Sequence, residues 1–437
     1  MPDNREIVLE ALLLHDKGEY ADKIIKSVLD KYSYLERFER GFINRVFTGT
    51  IERRLSLDFI INNFSSVKVN KQKPVIRAIL RMSTYQLLYM DSVPDSAVIN
   101  EAVKLAKKKK FQGLSGFVNG VLRKIAKEKE NISIPNDNLS AKYSCPEWLT
   151  EHFVKELGFD KAVDVLKNSL LERPIIVRTN LSKITPNELK ERLLSEGVKI
   201  TELDNELNDA AFIIDEFDGL MSLESFEEGL FSVQDASSQM VLYDDCGGAL
   251  TEILKSAEVI VDVCAAPGGK TCHVADLLKY YGNEKCTVIS RDLSDNKVDK
   301  IDENVERCGF DNVKCEVKDA LDFDKTLVGK ADLVIADLPC SGLGVIGRKA
   351  DIKYRVQPDD LNALASLQRD ILKIVSQYVK PGGMLIFSTC TVNRLENYDN
   401  AEFIESELGF TKACESIQLL NDSPINDGFF ISRFIKN

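Results

Sequence analysis

The chain has 437 residues, of which 44% are hydrophobic and 29% charged, so it can bury several cores and is not globally disordered. No apolar run approaches the ~18 residues that span a bilayer, and the amino-terminal segment lacks the pattern of a secretory signal, so we expect a cytoplasmic protein. The net charge of −12 argues weakly against a nucleic-acid partner for the chain as a whole.

Charge is distributed unevenly along the chain. Residues 1–130 contain 24 Lys and Arg against 16 Asp and Glu, a net charge of +8, whereas the remainder contains 33 basic and 53 acidic residues, a net charge of −20. This asymmetry indicates either a contact between the amino-terminal part and a polyanion or a merely solvated helical surface. Charge alone favours neither interpretation.

The first predicted domain, residues 1–130, is an all-helical bundle. Apolar residues recur at helical spacing over 75–89, 97–106 and 117–125. Residues 131–140 are polar, contain proline and lack periodicity, which predicts a linker.

Residues 141–230 are predicted to form a small α+β subdomain. The pattern indicates a helix over 145–158 and a strand over 174–180. A second helix is predicted over 185–194, because a capping threonine precedes a proline at the first helical position.

Strands and helices alternate over residues 231–437, which predicts a doubly wound, parallel α/β sheet. Short β-rich runs are predicted strands at 259–263, 286–290, 313–317 and 332–336. A long helix is predicted from about 360 to 379, ending before the Pro-Gly-Gly at 381–383.

Residues able to carry chemistry follow the ends of these strands. Cys340 ends the sequence Asp-Leu-Pro-Cys after one strand, Cys390 lies in Thr-Cys-Thr after another, and a glycine-rich loop over 264–271 follows a third. In open parallel sheets, ligands bind at the carboxyl ends of strands. The pattern therefore predicts a cofactor-dependent enzyme with a cysteine nucleophile, although a buried structural role is the better interpretation for either cysteine taken alone.

Two glycine patterns favour other functions only superficially. An ATP-binding P-loop requires a glycine where this chain has Cys264. Gly342, Gly344 and Gly347 match a dinucleotide motif, but a charged segment follows them and no acidic residue ends a strand about 20 residues later. We discount both.

Three acidic residues follow successive strands: Asp262, Asp292 and Asp319. A carboxylate at the end of the second strand suits a ribose diol, and Asp319 suits an adenine amino group. A lone aspartate is more often an exposed turn residue, but three in this order indicate S-adenosyl-L-methionine as cofactor.

The ten cysteines are expected to be reduced and mostly buried. Cys264, Cys272 and His273 form the nearest approach to a metal-ligand cluster, and we expect no metal. A Ser–His–Asp or cysteine–histidine mechanism is disfavoured because no histidine follows His273.

The motifs together resemble a known family. The segments CAAPGGKT, DLPCSG, DIKYR and STCT are similar to those of RNA 5-methylcytosine methyltransferases, and RAILRMSTYQLLYM, VPDSAVINEAVKLAKK and FVNGVLRKI resemble NusB. The resemblance implies a NusB-like helical bundle over 1–130, an RNA-recognition-motif-like subdomain over 141–230 and a Rossmann-like methyltransferase domain over 231–437. It further implies methylation of cytosine C5 in 16S (small-subunit) ribosomal RNA.

The resemblance also implies roles for individual residues. Cys390 would be the nucleophile that attacks C6, Cys340 would assist product release, and Asp337 would contact N3. An ordinary thiol is mostly protonated at neutral pH, so Cys390 needs a nearby base or positive charge, for which Lys270 and Lys353 are candidates. The expected cofactor-binding residues are Cys264, Ala265, Ala266, Pro267, Gly268, Gly269, Lys270, Asp292, Asp319 and Asp337.

Some positions depart from the family pattern. Ser290-Arg291 precede Asp292 where small or apolar residues are usual, Ala350 replaces a proline, and Leu395 replaces a glutamate. A methyltransferase acting on transfer RNA and a NusB-like binding protein without catalysis are the alternatives. The oligomeric state cannot be read from the sequence, and a monomer is the default expectation.

Overall fold

The structure is a computed structural model, and the residues it describes are 3–203, 210–217, 219–244 and 246–437. The chain forms two compact units. The helical unit combines residues 1–170 with 348–355, and the sheet unit combines 171–347 with 356–437. Within the described residues, every helix is too short or too polar to cross a bilayer.

The helical unit is built from amphipathic helices around one apolar core, as the periodicity predicts. Its helices are α1 (Asn4–His15), α2 (Ala21–Lys31), α3 (Arg37–Glu52), α4 (Arg54–Phe64), α5 (Pro74–Tyr89), α6 (Asp95–Lys108), α7 (Ser115–Glu128), α8 (Leu139–Tyr143), α9 (Glu147–Leu157), α10 (Phe159–Asn168) and α17 (Ile352–Arg355). Phe47 and Ile79 are fully buried in the core. A Cβ on Gly49 would lie 2.1 Å from the ring of Tyr85, so glycine permits the close approach of α3 and α5.

Helices α8 to α10 belong to the helical unit, although the sequence analysis assigned residues from 141 onward to the α+β subdomain. Ser56 Oγ donates a hydrogen bond to the Ala141 carbonyl at 2.6 Å, and the Leu55 N–H donates to Ser144 Oγ at 2.9 Å. These contacts join sequence-distant segments, which a local pattern does not reveal.

Residues 348–355 also fold with the helical unit, whereas the sequence analysis included them in the methyltransferase domain. The buried ammonium of Lys353 donates to the Glu52 carbonyl at 2.9 Å, and burial lowers its pKa to about 8. The Tyr354 hydroxyl donates to the Ser144 carbonyl at 3.0 Å. Lys353 was one of two candidates for activating Cys390, and its ammonium is bound by the end of α3.

The sheet unit begins with a small α+β layer. Its elements are β1 (Ile175–Thr179), α11 (Pro186–Ser195), β2 (Lys199–Glu202), β3 (Ala211–Asp215), α12 (Glu224–Glu227) and β4 (Phe231–Val233). The strands pair antiparallel in the order β2-β3-β1-β4, and the elements follow one another as β-α-β-β-α-β, which is consistent with the predicted α+β subdomain. Thr185 and Glu188 form a capping box at the start of α11, as the sequence indicates.

The larger sheet carries the rest of this unit. Its strands are β5 (Val259–Asp262), β6 (Thr287–Asp292), β7 (Val313–Val317), β8 (Ala331–Asp337), β9 (Val379–Thr389), β10 (Phe410–Lys412), β11 (Ile417–Leu419) and β12 (Phe429–Lys436). The associated helices are α13 (Ala236–Gln239), α14 (Ala249–Ser256), α15 (Gly269–Tyr280), α16 (Asp295–Cys308), α18 (Pro358–Val375) and α19 (Tyr398–Leu408).

Strand order in this sheet is β10-β12-β9-β8-β5-β6-β7, with β11 paired to β12. Strands β5 to β9 are parallel and β12 is antiparallel to β9. The chain winds from β5 outward to β7 and then crosses to β8 on the other side of β5. The doubly wound fold predicted from the sequence is confirmed, and its topological switch point lies between β5 and β8.

Two local expectations are corrected. Helix α18 ends at Val375, and Val379 already pairs with Ala331 at the start of β9, so the Pro-Gly-Gly at 381–383 lies inside a strand. The ladder has a register irregularity there, which accommodates these residues. In addition, Cys246 and Cys414 form a disulfide across 168 residues, which departs from the expectation of ten reduced thiols.

Candidate active site

The residues predicted to carry chemistry lie at the carboxyl ends of β5, β6, β8 and β9. Asp262 ends β5, Asp292 ends β6, Asp337 ends β8, and Cys390 follows β9. Because these strands are parallel neighbours, their ends share one edge of the sheet. This edge includes the switch point, where open α/β sheets bind ligands.

The glycine-rich loop after β5 turns sharply into α15. Gly268 has a φ of +103°, and a Cβ there would lie 3.3 Å from the Ile301 backbone, so the position requires glycine. The Ala266 N–H donates to Asp292 Oδ2 at 2.9 Å, and the Ala265 N–H donates to the Arg291 carbonyl at 2.9 Å. The end of β6 therefore holds the loop open above β5.

A buried polar cluster lies directly beneath this loop. Thr271 Oγ1 donates to Asp262 Oδ2 at 2.8 Å and lies 2.8 Å from Ser290 Oγ. Asp262 is fully buried, and burial raises its pKa to about 7. Its Oδ1 atom has no hydrogen-bond partner among the described residues. An orphaned carboxyl oxygen beside a glycine turn fits a ligand with a polar donor, such as the amino or hydroxyl groups of S-adenosyl-L-methionine.

Asp292 and Asp319, two of the predicted cofactor-binding residues, differ in their surroundings. Besides Ala266, Asp292 accepts from the Leu293 N–H at 2.7 Å and from Lys297 Nζ at 2.8 Å, so it supports the loop from below. Asp319 is half-buried and accepts from the Leu321 N–H at 2.9 Å. The contacts of these two residues with a ribose and an adenine stay predictions.

Asp337 and Lys270 form an ion pair at the switch point. Lys270 Nζ donates to Asp337 Oδ2 at 2.6 Å, and the Ser388 hydroxyl donates to Asp337 Oδ1 at 2.8 Å. Lys270 also contacts Ser238 Oγ at 3.2 Å and lies over the ring of Phe429 at 5.2 Å. The ion pair fixes the carboxylate at the end of β8 and places a positive charge beside it.

The two cysteines at the strand ends meet. Cys340 Sγ lies 3.2 Å from Cys390 Sγ, and both side chains are half-buried. The hydrogen bond to Cys390, reinforced by burial, raises the pKa of Cys340. The protonated thiol of Cys340 is therefore favoured over its thiolate.

A buried network behind the cysteines was missed by the sequence analysis, which noted this segment only for its departure at Leu395. Glu396 is fully buried and accepts hydrogen bonds from Ser341 and from Gln368 Nε2, the latter at 3.1 Å. Asn397 accepts from Thr389 Oγ1 at 2.5 Å. The available signal was a run of polar residues directly after a strand, which predicts loop rather than core.

The glycines that match a dinucleotide motif have a packing role. A Cβ on Gly344 would lie 1.8 Å from the Gly428 carbonyl oxygen, and one on Gly347 would lie 2.6 Å from Arg173 Nε. The Gly344 N–H donates to the Cys390 carbonyl at 3.1 Å. The glycines let the segment after Cys340 lie against the one after β9.

The residues considered for a metal site lie in two segments. Cys272 and His273 are buried in α15, and Cys264 lies in the glycine-rich loop before it. Among the residues that the structure describes, no three His, Cys, Asp or Glu side chains gather in a way that would hold a metal ion.

Comparison with solved structures places the fold. The crystal structure of PH0851 aligns with a TM-score of 0.80 at 24% identity and covers 100% of this chain and 99% of that one. A methyltransferase homolog protein from Pyrococcus horikoshii aligns over 70% of this chain and 100% of its own, with a TM-score of 0.59 and 22% identity. These likenesses show a Rossmann-like fold, as the alternation of strands and helices predicts.

Sequence comparison identifies the family. Residues 250–435 match the model of the 16S rRNA methyltransferase RsmB/F family, and residues 2–127 match the NusB family. The probable ribosomal RNA small subunit methyltransferase B of Bacillus subtilis (strain 168) is 36% identical over 90% of this chain and 86% of its own length. A relative of the same name from Synechocystis is 31% identical over 98% of each chain. This chain belongs to the RsmB/F family and carries a NusB domain.

Proposed function

We propose that this methyltransferase modifies C5 of a cytosine in 16S (small-subunit) ribosomal RNA through a covalent bond between Cys390 and C6. The observation that carries the proposal is the pair of thiols, 3.2 Å apart, at the strand ends that also present Asp337. Paired thiols beside a carboxylate suit activation of a pyrimidine carbon, which is a poor nucleophile by itself.

The proposed reaction gives each of these groups a role. The Cys390 thiolate forms a bond to C6, and the electrons of the C5–C6 double bond move into the ring, making C5 nucleophilic. S-adenosyl-L-methionine, when bound, supplies the electrophilic methyl group that C5 takes. In the elimination, Cys340 takes the proton from C5 and passes its own proton to the Cys390 sulfur that it contacts. The C5–H electrons restore the C5–C6 double bond, the C6–sulfur bond breaks with its electron pair returning to Cys390, and the proton on N3 returns to Asp337.

Asp337 is proposed to contact N3 of the cytosine. As Cys390 adds to C6, negative charge builds at N3, so Asp337 would carry a proton and donate it to N3. Lys270 donates to Asp337 at 2.6 Å, so its positive charge would stabilise the carboxylate that remains after this transfer. Lys270, which the sequence analysis named both as a candidate activator of Cys390 and as a cofactor-binding residue, thus pairs with Asp337.

The loop over 264–269 and the carboxylates of Asp292 and Asp319 are proposed to hold the cofactor. Support comes from the unpartnered Asp262 Oδ1 beneath the loop and from the positive φ of Gly268, which brings backbone N–H groups at the start of α15 to the sheet edge. Asp262, which was not among the predicted binding residues, is added to this set.

Small-subunit ribosomal RNA is favoured as substrate because the relatives of similar length carry that name. The net charge of +8 over residues 1–130 supports a polyanionic partner. A base must leave its stack to reach the cysteines, so the target is an exposed or flipped cytosine. We further propose that the protein acts as a cytoplasmic monomer.

The test is methyl transfer from labelled S-adenosyl-L-methionine to unmodified small-subunit rRNA, followed by digestion and identification of the labelled nucleoside. Labelled 5-methylcytosine with the wild type and none with Cys390→Ala is expected. If transfer RNA were labelled and small-subunit rRNA were not, the substrate would be assigned as transfer RNA. RNA binding without label on either RNA would favour the binding-protein alternative, against which the intact Asp337, Cys340 and Cys390 argue.

A further inference from the structure

A cavity of about 440 Å³ opens in the helical unit, and none of the residues assigned to chemistry lines it. Its walls come from the end of α1, from α4 and α5, and from the segment 348–355. The wall is strongly basic, since four arginines line it against two aspartates. Such an excess of fixed positive charge in a concave site attracts anions.

Most of these arginines have acidic partners, and one does not. Arg77 pairs with Asp16 at 2.9 Å, and Arg81 forms two hydrogen bonds of 2.7 Å with Asp58. In the part of the chain that the structure describes, Arg54 contacts no carboxylate. Its guanidinium lies over the ring of Tyr354, 4.8 Å from the ring centre, in a cation–π contact.

Three buried nitrogen atoms of the lining residues have no hydrogen-bond partner among the described residues: His15 Nε2, Arg54 Nε and Arg77 Nε. His15 is only 9% exposed. Buried polar groups in folded proteins almost always have a partner. Unpaired nitrogens around a basic cavity therefore indicate a ligand that supplies several acceptor oxygens.

We propose that this cavity binds a phosphate group of the RNA backbone, with Arg54 as its principal contact and Arg77 and His15 as further donors. The proposal rests on the proposed function in that RNA is the substrate. A phosphodiester offers two charged oxygens that match the planar fork of a guanidinium. Tyr354 and Arg355 follow Cys340 closely in the chain, so the site joins the NusB domain to a segment of the methyltransferase sequence.

The experiment measures binding of fluorescently labelled small-subunit rRNA to the full-length protein over a series of KCl concentrations. Arg54→Gln is compared with Arg123→Gln, which removes one equal charge from an exposed site on α7 of the same unit. We expect Arg54→Gln to weaken binding by about tenfold and to lower the salt slope by about one, since one phosphate contact is lost. Arg123→Gln should stay within about twofold of the wild type and keep its slope.

Arg54→Lys is the control that distinguishes the loss of a specific contact from a folding defect. It keeps the charge but loses the fork, so affinity should fall while the salt slope is kept. Equal affinities and slopes for Arg54→Gln and Arg123→Gln would overturn the proposal. The proposal would also be overturned if inorganic phosphate stabilised the wild type but not Arg54→Gln while both proteins bound RNA with equal affinity. The site would then bind a free anion and not the RNA backbone. Methyl transfer by the wild type is assayed separately. If the wild type methylates RNA but Arg54→Gln binds RNA as tightly as the wild type, only the cavity proposal is refuted. If Arg54→Gln weakens RNA binding but the wild type methylates no RNA, only the proposed function is refuted.

Discussion

The carboxylate of Glu396 accepts two hydrogen bonds from Ser341, one from its N–H at 2.8 Å and one from its hydroxyl at 2.5 Å. Ser341 directly follows Cys340, and Glu396 lies in the loop that begins with Cys390. Gln368 and Asn393 also donate to this carboxylate, at 3.1 and 3.0 Å. A single buried acid thus ties together the two loops that present the thiols.

Glu396→Gln should lower kcat by about tenfold to a hundredfold and destabilise the protein by about 1–3 kcal/mol, because an amide N–H₂ would face donors in a buried site. Methyl-transfer kinetics and denaturant unfolding measure the two effects. Glu407→Gln, on the exposed face of α19, is the matched control and should change neither. If Glu396→Gln kept the kcat and the stability of the wild type, the hydrogen bonds of the Glu396 carboxylate would be unnecessary for both.

Cys340→Ala should separate addition from elimination. If Cys340 assists release, its loss leaves the RNA bonded to Cys390, so a complex that survives denaturing electrophoresis should accumulate while turnover falls by about a hundredfold or more. The double variant Cys340→Ala/Cys390→Ala is the control and should show no such complex. Normal turnover by Cys340→Ala would remove Cys340 from the mechanism.

Asp276→Asn should destabilise the sheet unit strongly. Asp276 and Arg178 form an ion pair at 2.9 Å with side chains 0% and 3% exposed, and Asp276 also accepts from the N–H groups of Leu181 and Ser182. Removing the charge leaves a buried guanidinium uncompensated, which costs about 3–5 kcal/mol.

The control for this change is Asp370→Asn, whose partner Lys373 lies in an ion pair with both side chains more than half exposed. An exposed pair contributes about 0–1 kcal/mol, so the shift in the unfolding midpoint should be small. Similar shifts for the two variants would refute the assigned role of the buried pair.

The stability of the protein should depend on the charge of Asp262. Burial raises the pKa of this carboxyl to about 7 in the folded state, against about 3.9 when unfolded. The folded state therefore binds the proton more tightly, and the contribution to stability is complete below pH ~4 and is lost as pH rises toward 7. Each pKa unit corresponds to about 1.4 kcal/mol, so the total is a few kcal/mol.

Asp262→Asn is neutral at every pH and should escape this loss. As the pH rises from 5 to 8, the free energy of unfolding of Asp262→Asn should increase relative to that of the wild type. Denaturant unfolding without cofactor measures both. Asp359→Asn, at an exposed position in α18, should parallel the wild type across this range. Parallel curves for Asp262→Asn would contradict a raised pKa.

Local features of this protein were readable from the sequence. The glycine turn at Gly268, the capping box at Thr185 and the alternation of strands and helices each depend on residues close together in the chain, so a pattern is enough to predict them. The order of the strands also predicted that Asp337, Cys340 and Cys390 share one edge of the sheet, since parallel strands end on the same side. Family and cofactor followed from the motifs at that edge.

The tertiary structure decided which distant residues are partners. The Glu396–Ser341 contact, the assignment of Lys270 to Asp337 and of Lys353 to the helical unit, and the Cys246–Cys414 disulfide all join segments far apart in the chain. No periodicity encodes these pairings, because each depends on how complete elements pack. The sequence by itself determined the fold class, the family and the edge of the sheet where we propose that chemistry occurs. Only the packed chain determined which charges are buried, which are paired, and which two thiols are in contact.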